Sequence, residues 1–358
     1  MNVVSRRARA CLAALGMSLM VVGAMPVTVA AFTPLDLTFR ASPGPCVGGT
    51  SNKTVDIELH DSSDTLLDKV LAVDPDAHGR FRACFATGYV TSGLTLVGIS
   101  PTDIDQTRFT IPALSLAVDR VGNVVKGRAR AGSHVALRAD RCDPLQACHR
   151  VLTRTVTSDG SGRYRTDTSS TADLKGGDLV RATLTSHAGH TYTMFQAAPI
   201  MDILVGGQVY GQVDPGQDAT FRLRSGPGGT LLSTRHVTGL GYGGNFHLTF
   251  GATIKAGRQV ISDFASDARV TIPNTSTTIT IEHGHQWIRG HCLPGRLVTV
   301  VWQGTRGHVQ RTADDRGRVA VDLSSAESHG FRLPSLSDVK LVCATPAGDG
   351  IIRDITVP

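Results

Sequence analysis

"GHCLPG", residues 290–295, places Cys292 beside His291 between two glycines, with His283 and His285 just upstream. The segment is either a metal or redox site, or a corner of a fold that happens to carry these side chains. Its counterparts bear on the choice. "GQVDPG" (211–216) and "GRARAG" (127–132) match it without a gap, and "GPCVGG" (44–49) is a looser fourth copy. All four read G-x-x-x-x-G, and their starts lie 83, 84 and 79 residues apart. A second landmark keeps nearly the same period: "GRFRACF" from Gly79, "GRYRTDTS" from Gly162, "GNFHLTF" from Gly244 and "GRVAVDL" from Gly317. Two landmarks with one period predict four units of about 80 residues.

The texture inside the units is that of strands. The second unit offers "LSLAVDRV", "NVVKGRA", "HVALRAD", "VLTRTVT", "RYRTDTS", "LVRATLT" and "TYTMFQ", separated by turn signals such as "SDGSG" and "SHAGH". Period-2 alternation puts Ala219, Phe221 and Leu223 on one strand face, and Val298, Val300 and Trp302 on another. Phe246, Leu248 and Phe250 repeat the pattern after the second landmark, as do Val319, Val321 and Leu323. No segment carries a convincing helical period. Seven short strands in about 85 residues suit a two-sheet sandwich, so the expected fold is all-β.

Residues 1–31 read differently. Arg6, Arg7 and Arg9 precede an apolar run from Leu12 to Met25, and small residues follow at Val29 and Ala31. That order predicts a secretory signal peptide cut near Ala31. The run is short for a membrane span of about 20 residues. Its removal takes three of the 36 basic residues, leaving 33 against 30 acids and a net charge of about +3. No Lys/Arg cluster remains, which argues against nucleic acid as a partner. No later segment is apolar enough to span a membrane, so the mature chain is expected outside the cytoplasm, extracellular or at the cell surface. The expected division is 1–31 leader, then units 32–113, 114–200, 201–274 and 275–358.

The stretch "VVKGRARAGSHVALRA…TSDGSGRYRTDTS…LKGGDLVRATLTSHAGH" in the second unit resembles the bacterial Ig-like repeats of secreted and cell-surface proteins. Those modules share a glycine corner before a V-x-L strand, then D-x-x-G-x-F/Y, then G-D-x-V. The resemblance is good over the second unit, fair over the third and fourth, and weak over the first. It implies a tandem array of four Ig-like sandwiches with a spacing or adhesive role, and it carries no catalytic residues.

In register, the third position of the glycine corner reads Cys46, Ala129, Val213 and Cys292. Cys292 therefore stands where its siblings place a small apolar side chain. Six cysteines remain beyond the leader, an even number for an oxidising compartment. Of fifteen formal pairings, closure within units gives Cys46–Cys84, Cys142–Cys148 and Cys292–Cys343. Cys292, then Trp302, then Cys343 resembles the inter-sheet bridge of immunoglobulin domains, although Leu341 stands where their tyrosine corner would be. Cys84 alternates out of phase with Phe81 and Phe85.

Other constellations weigh less. His283 and His285 share a strand face with a spacing able to chelate zinc, His291 or Glu282 being a third ligand, but nothing fixes a fourth. Asp74/Asp76, Asp103/Asp105 and Asp314/Asp315 suit turns for backbone reasons, and no loop gathers the carboxylates that calcium needs. Asp159 and the first and last of these pairs precede a landmark glycine, at what reads as a hairpin tip. There is no G-x-S-x-G and no H-E-x-x-H, so the reading is non-enzymatic, with no cofactor and no metal. Aromatics are only 5% of the chain, which leaves Trp287, Tyr242, Tyr210 and Tyr89 as candidate ligand-facing rings. The sequence thus predicts a secreted surface spacer or adhesive scaffold. The alternatives are an extracellular carbohydrate-binding protein, or a filament subunit that shares "FTPLDLTFRAS" (32–42) as an edge strand. The partner is an unidentified surface protein or glycan, or a second copy of the chain, and each unit is expected to fold alone.

Overall fold

In the computed structural model the described residues are 34–102, 105–142, 148–213, 216–240, 244–264, 268–271, 279–282, 287–302, 307–322 and 338–356. The predicted leader, Tyr242, His283 and His285 lie outside them. The described residues hold strands and no helix.

The strands fall into four successive sets of seven. The first set is β1 (Leu37–Ala41), β2 (Cys46–Ser51), β3 (Val55–His60), β4 (Leu66–Val73), β5 (Arg80–Cys84), β6 (Thr95–Ile99) and β7 (Gln106–Thr110). The second is β8 (Ala117–Asp119), β9 (Val124–Arg128), β10 (His134–Cys142), β11 (Cys148–Thr157), β12 (Arg163–Asp167), β13 (Leu179–Thr185) and β14 (Thr191–Ala197). The third is β15 (Ile200–Leu204), β16 (Gln208–Gln212), β17 (Asp218–Arg224), β18 (Leu231–Thr238), β19 (Asn245–Thr249), β20 (Gln259–Ser262) and β21 (Ala268–Thr271). The fourth is β22 (Ile279–Glu282), β23 (Trp287–His291), β24 (Leu297–Trp302), β25 (Gly307–Thr312), β26 (Arg318–Asp322), β27 (Asp338–Ala344) and β28 (Gly350–Thr356).

Each set divides in the same way. Its first, second and fifth strands share one sheet; its fourth, third, sixth and seventh share another. The third strands show why the sequence pattern produces this. Val55, Ile57 and Leu59 on β3, Val135, Leu137 and Ala139 on β10, and Ala219, Phe221 and Leu223 on β17 all turn inward and are buried. Val298, Val300 and Trp302 do the same on β24. Alternate β-branched and apolar residues give each strand one apolar face, which must be covered.

The two sequence landmarks turn out to be the two halves of one contact. Gly127 on β9 lies directly opposite Tyr164 on β12, Gly211 opposite Phe246, and Gly290 opposite Val319. In the first set the opposite pair is Gly49 and Phe81. This corrects the looser copy at "GPCVGG": the equivalent glycine is Gly49, five residues beyond Gly44. The third position is then Ser51 and not Cys46. Hydrogen bonds confirm the register. The backbone N–H groups of Ser51, Ala129, Val213 and Cys292 donate to the carbonyls of Gly79, Gly162, Gly244 and Gly317.

At Gly49, Gly127 and Gly211 a Cβ would stand 1.9–2.0 Å from a carbonyl oxygen, that of Thr38, Ser115 or Ile200 respectively. It would also meet the ring of Phe81, Tyr164 or Phe246. Only glycine lets the ring and the preceding strand close over the backbone. The second landmark is also not a hairpin tip. Gly79 and Gly162 sit at positive φ in tight turns that carry the chain from one sheet to the other, and Asp76 and Asp159 accept the turn's N–H groups.

The sets are not four separate beads. β14 pairs in parallel with β1, and β28 in parallel with β15, so two seven-stranded sheets each run through two sets. One buried apolar cluster serves the first and second sets, and another serves the third and fourth. Sheets and apolar clusters are thus shared between sets two by two, as fused pairs, which the sequence pattern did not show. β1, within the "FTPLDLTFRAS" segment, pairs with β2 over Leu37–Arg40 and with β14 at Arg40 and Ala41, so its second edge is partly taken within the chain.

Gly127→Ala should lower the stability of the chain by about 3 kcal/mol or more, because the added methyl cannot be relieved by a flexible side chain. Gly160, which has open space around it, is the control. Urea denaturation of Gly127→Ala and Gly160→Ala checks this: equal midpoints for the two variants would contradict it.

Candidate functional site

The corner that opens the fourth set is a core position. Cys292 is 3% exposed and faces Cys343 of β27, 1% exposed, with Cα atoms 5.6 Å apart, and Trp302 is buried in the same cluster. The pair joins the second and sixth strands, which lie in opposite sheets. Cys46 and Cys84 are directly opposed on β2 and β5, and Cys142 and Cys148 on β10 and β11, each with Cα atoms 4.0 Å apart. Cys84 is exposed, which is why it alternates against Phe81 and Phe85. All three cysteine pairs stand at bonding distance. Among the described residues no three His, Cys, Asp or Glu side chains gather as a metal site.

The described candidate rings stand apart. Tyr89 follows β5 in the first set, Tyr210 lies on β16, and Trp287 begins β23. All three are half-buried. Arg289 packs over the Trp287 ring, 5.7 Å from its centroid. Tyr210 lies opposite Asp202, and burial, together with the charges of Asp202 and Asp354, pushes its hydroxyl up to about 12. The structure does not bring these rings onto one platform.

What it does build is a pair of matching turns; the sequence marks "SHAGH" as a turn, but its match to "TPAGD" went unread. The turn between β13 and β14 is closed by Ser186 N–H to the His190 carbonyl, and Gly189 N–H to the Ser186 carbonyl. The turn between β27 and β28 repeats this with Thr345, Asp349 and Gly348. In each, the last side chain reaches the first strand of the fused pair. His190 Nδ1 accepts the Phe39 N–H at 3.2 Å, and Asp349 Oδ1 accepts the Met201 N–H at 2.9 Å. His190 and Asp349 are structural equivalents with different chemistry. The recurring "AG" of "SHAGH" and "TPAGD" was the available signal.

The second of these turns is where the two fused pairs meet. Arg120, just after β8, reaches Asp349 with bonds of 2.7 and 2.9 Å to its two oxygens and donates to the Ala347 carbonyl. Gly176 N–H donates to the same carbonyl at 2.8 Å. A Cβ on Gly348 would lie 2.6 Å from the Gly176 nitrogen, so the two turns touch backbone to backbone. Arg120 is 4% exposed and Asp349 1% exposed, and the guanidinium lies over the Phe264 ring. Breaking such a buried pair from one side costs about 3–5 kcal/mol, because the other charge is left without a partner.

The first turn borders a cleft instead. The end of β7, the corner Arg130–His134 and the β13–β14 turn enclose about 840 Å³. Arg108, Arg130, His134, His187 and His190 line it, and no carboxylate does. His190 packs against Phe39 and Phe109, with ring centroids 5.6 and 4.9 Å away.

No family model matches the chain, and no curated protein matches it. Among solved structures, it is similar to a tetra-tandem repeat from the extending region of a large adhesion protein. The two are 15% identical over 90% of this chain and 99% of that one, with a TM-score of 0.18. It is also similar to the BSP domain of a biofilm-associated protein (10% identity, 89% and 96% covered, TM-score 0.20). A third is a structure concerning host cell surface retention of a 1.5-MDa bacterial ice-binding adhesin (12% identity, 91% and 98% covered, TM-score 0.17). A TM-score this low does not establish a shared fold, and the architecture above rests on the chain's own sheets.

Burial lowers the His190 pKa and, with the charge of Asp349, raises that of Asp202 to about 6. The signs oppose. The neutral histidine contributes stability above its ordinary value of about 6.5, and that is lost as pH falls below it. The contribution of Asp202 is present below about 3.8 and lost as pH rises through about 6. From pH 7 to about 5, His190→Asn should therefore lose less stability than the parent chain, and Asp202→Asn should lose more. Parallel melting-temperature profiles for all three would show that neither group couples to folding.

Proposed function

We propose that the chain is a secreted, non-enzymatic surface spacer or adhesive scaffold, built from four Ig-like sandwich modules fused in two pairs. The observation that carries this reading is the parallel clasp of each pair. The first strand of a pair, β1 or β15, lies beside its last, β14 or β28, and both run in the same direction. Tension drawing on the start of one and the end of the other pulls them past each other along their length. The inter-strand hydrogen bonds are then loaded together and not one after another. Such a clasp suits a protein that holds a distance under load.

Further features fit the same reading. The three cysteine pairs at bonding distance suit an oxidising, extracellular setting. The modules depart from the constant-type immunoglobulin arrangement, in which the fourth strand lies with the first, second and fifth. Here it pairs with the third. No helix among the described residues is long and apolar enough to cross a membrane, and the expected signal peptide would supply export.

Stretched from its two ends under reductant, the chain should lengthen in two steps of roughly 550 Å, each releasing about 160 residues at about 3.4 Å per residue. Four steps of roughly half that length would mean that the modules yield singly, and would remove the support for the clasp.

A further inference from the structure

The cleft beside His190 borders the turn whose equivalent in the second fused pair is already engaged. There the turn Thr345–Asp349 presents a carboxylate, and Arg120 and Gly176 of the first pair dock onto it. At the equivalent turn of the first pair the acid is replaced by His190. Arg108 and Arg130 line the space with His134 and His187, without a carboxylate in the lining. Arg108 is ion-paired with Asp64, which stands outside the lining. Arg130 and His187 make no ion pair or side-chain hydrogen bond among the described residues. His134 Nδ1 meets the Thr157 hydroxyl at 3.1 Å.

We propose that this cleft binds an acidic saccharide, with the carboxylate of a uronic acid between Arg130 and His187. The lining sets the sign of the ligand, because it holds two guanidinium groups and three imidazoles and no carboxylate. The size and lining set the rest. About 840 Å³ in an open trough is room for a short run of sugar rings. Ser133, Thr185 and Ser186 add hydroxyls, and Pro112, Leu184 and Ala188 add apolar surface for ring faces. A guanidinium with no internal partner holds a carboxylate by paired, charge-assisted hydrogen bonds, and does so without first breaking an ion pair.

Calorimetric titration of the full chain with trigalacturonate, maltotriose and hexaglutamate tests this. Trigalacturonate should bind, weaken as salt rises to about 0.3 M, and weaken about tenfold or more in Arg130→Ser. His187→Asn should weaken it as well. Maltotriose should not bind. Both substituted residues are exposed and take no part in the β1–β14 clasp, so unchanged melting temperatures separate a lost contact from a lost fold. Failure here would leave the spacer reading standing. Equal affinity for hexaglutamate would overturn the proposal in favour of an acidic peptide. Binding that is indifferent to Arg130→Ser, or no binding of trigalacturonate, would overturn it outright.

Discussion

A glycine on the second strand, a ring from the fifth lying over it, and a carbonyl of the first turned in against it form the contact on which the strand sets depend. With Gly49, Gly127 or Gly211 in place, the chain of the first strand comes within reach of a position where a Cβ would otherwise be. The ring of Phe81, Tyr164 or Phe246 then covers the bare backbone from the core side. Tyr164 also donates its hydroxyl to the Ser115 carbonyl, the same oxygen that crowds Gly127. The contact fixes the register between second and fifth strands, and register fixes which side chains face inward. In the fourth set Val319 replaces the ring, and the second and sixth strands are there tied through Cys292 and Cys343 instead.

Once first strands are held in this way, they can serve as a second seam. β1 carries β2 on one side and β14 on the other; β15 does the same with β16 and β28. The turn that precedes each clasping strand then sits against the neighbouring first strand. His190 and Asp349 take the same backbone contact with opposite consequences for charge. Asp349 needs Arg120 to be buried at all, which ties the two fused pairs together. His190 is buried neutral among Phe39 and Phe109, and leaves its surroundings cationic.

Much of the fold was legible because it is periodic. The inward triplets of the third strands, the period of the landmarks and the within-unit pairing of cysteines are all local patterns. The pairing of sets was not legible, because a parallel seam between strands some 150 residues apart leaves no periodic trace. The first glycine was misplaced for a related reason. Gly44 opens a G-x-x-x-x-G string and Gly49 does not, and only the partner across the sheet, Phe81, identifies Gly49 as the equivalent residue. The cleft was not legible because its residues come from three separated segments and share no motif. Trp287, Tyr210 and Tyr89 are dispersed over three sets, and Tyr242 lies outside the described residues.

The central claim is that the cooperative unit is the fused pair. Residues 200–358 and residues 275–358, produced separately and denatured with urea under oxidising conditions, test it most directly. The account predicts one cooperative transition for the longer fragment. For the shorter one, which lacks β15 beside β28 and half of the shared core, it predicts a midpoint far lower or no cooperative transition. A shorter fragment that unfolds cooperatively at the same midpoint as the longer one would contradict it, and would return the chain to four independent beads.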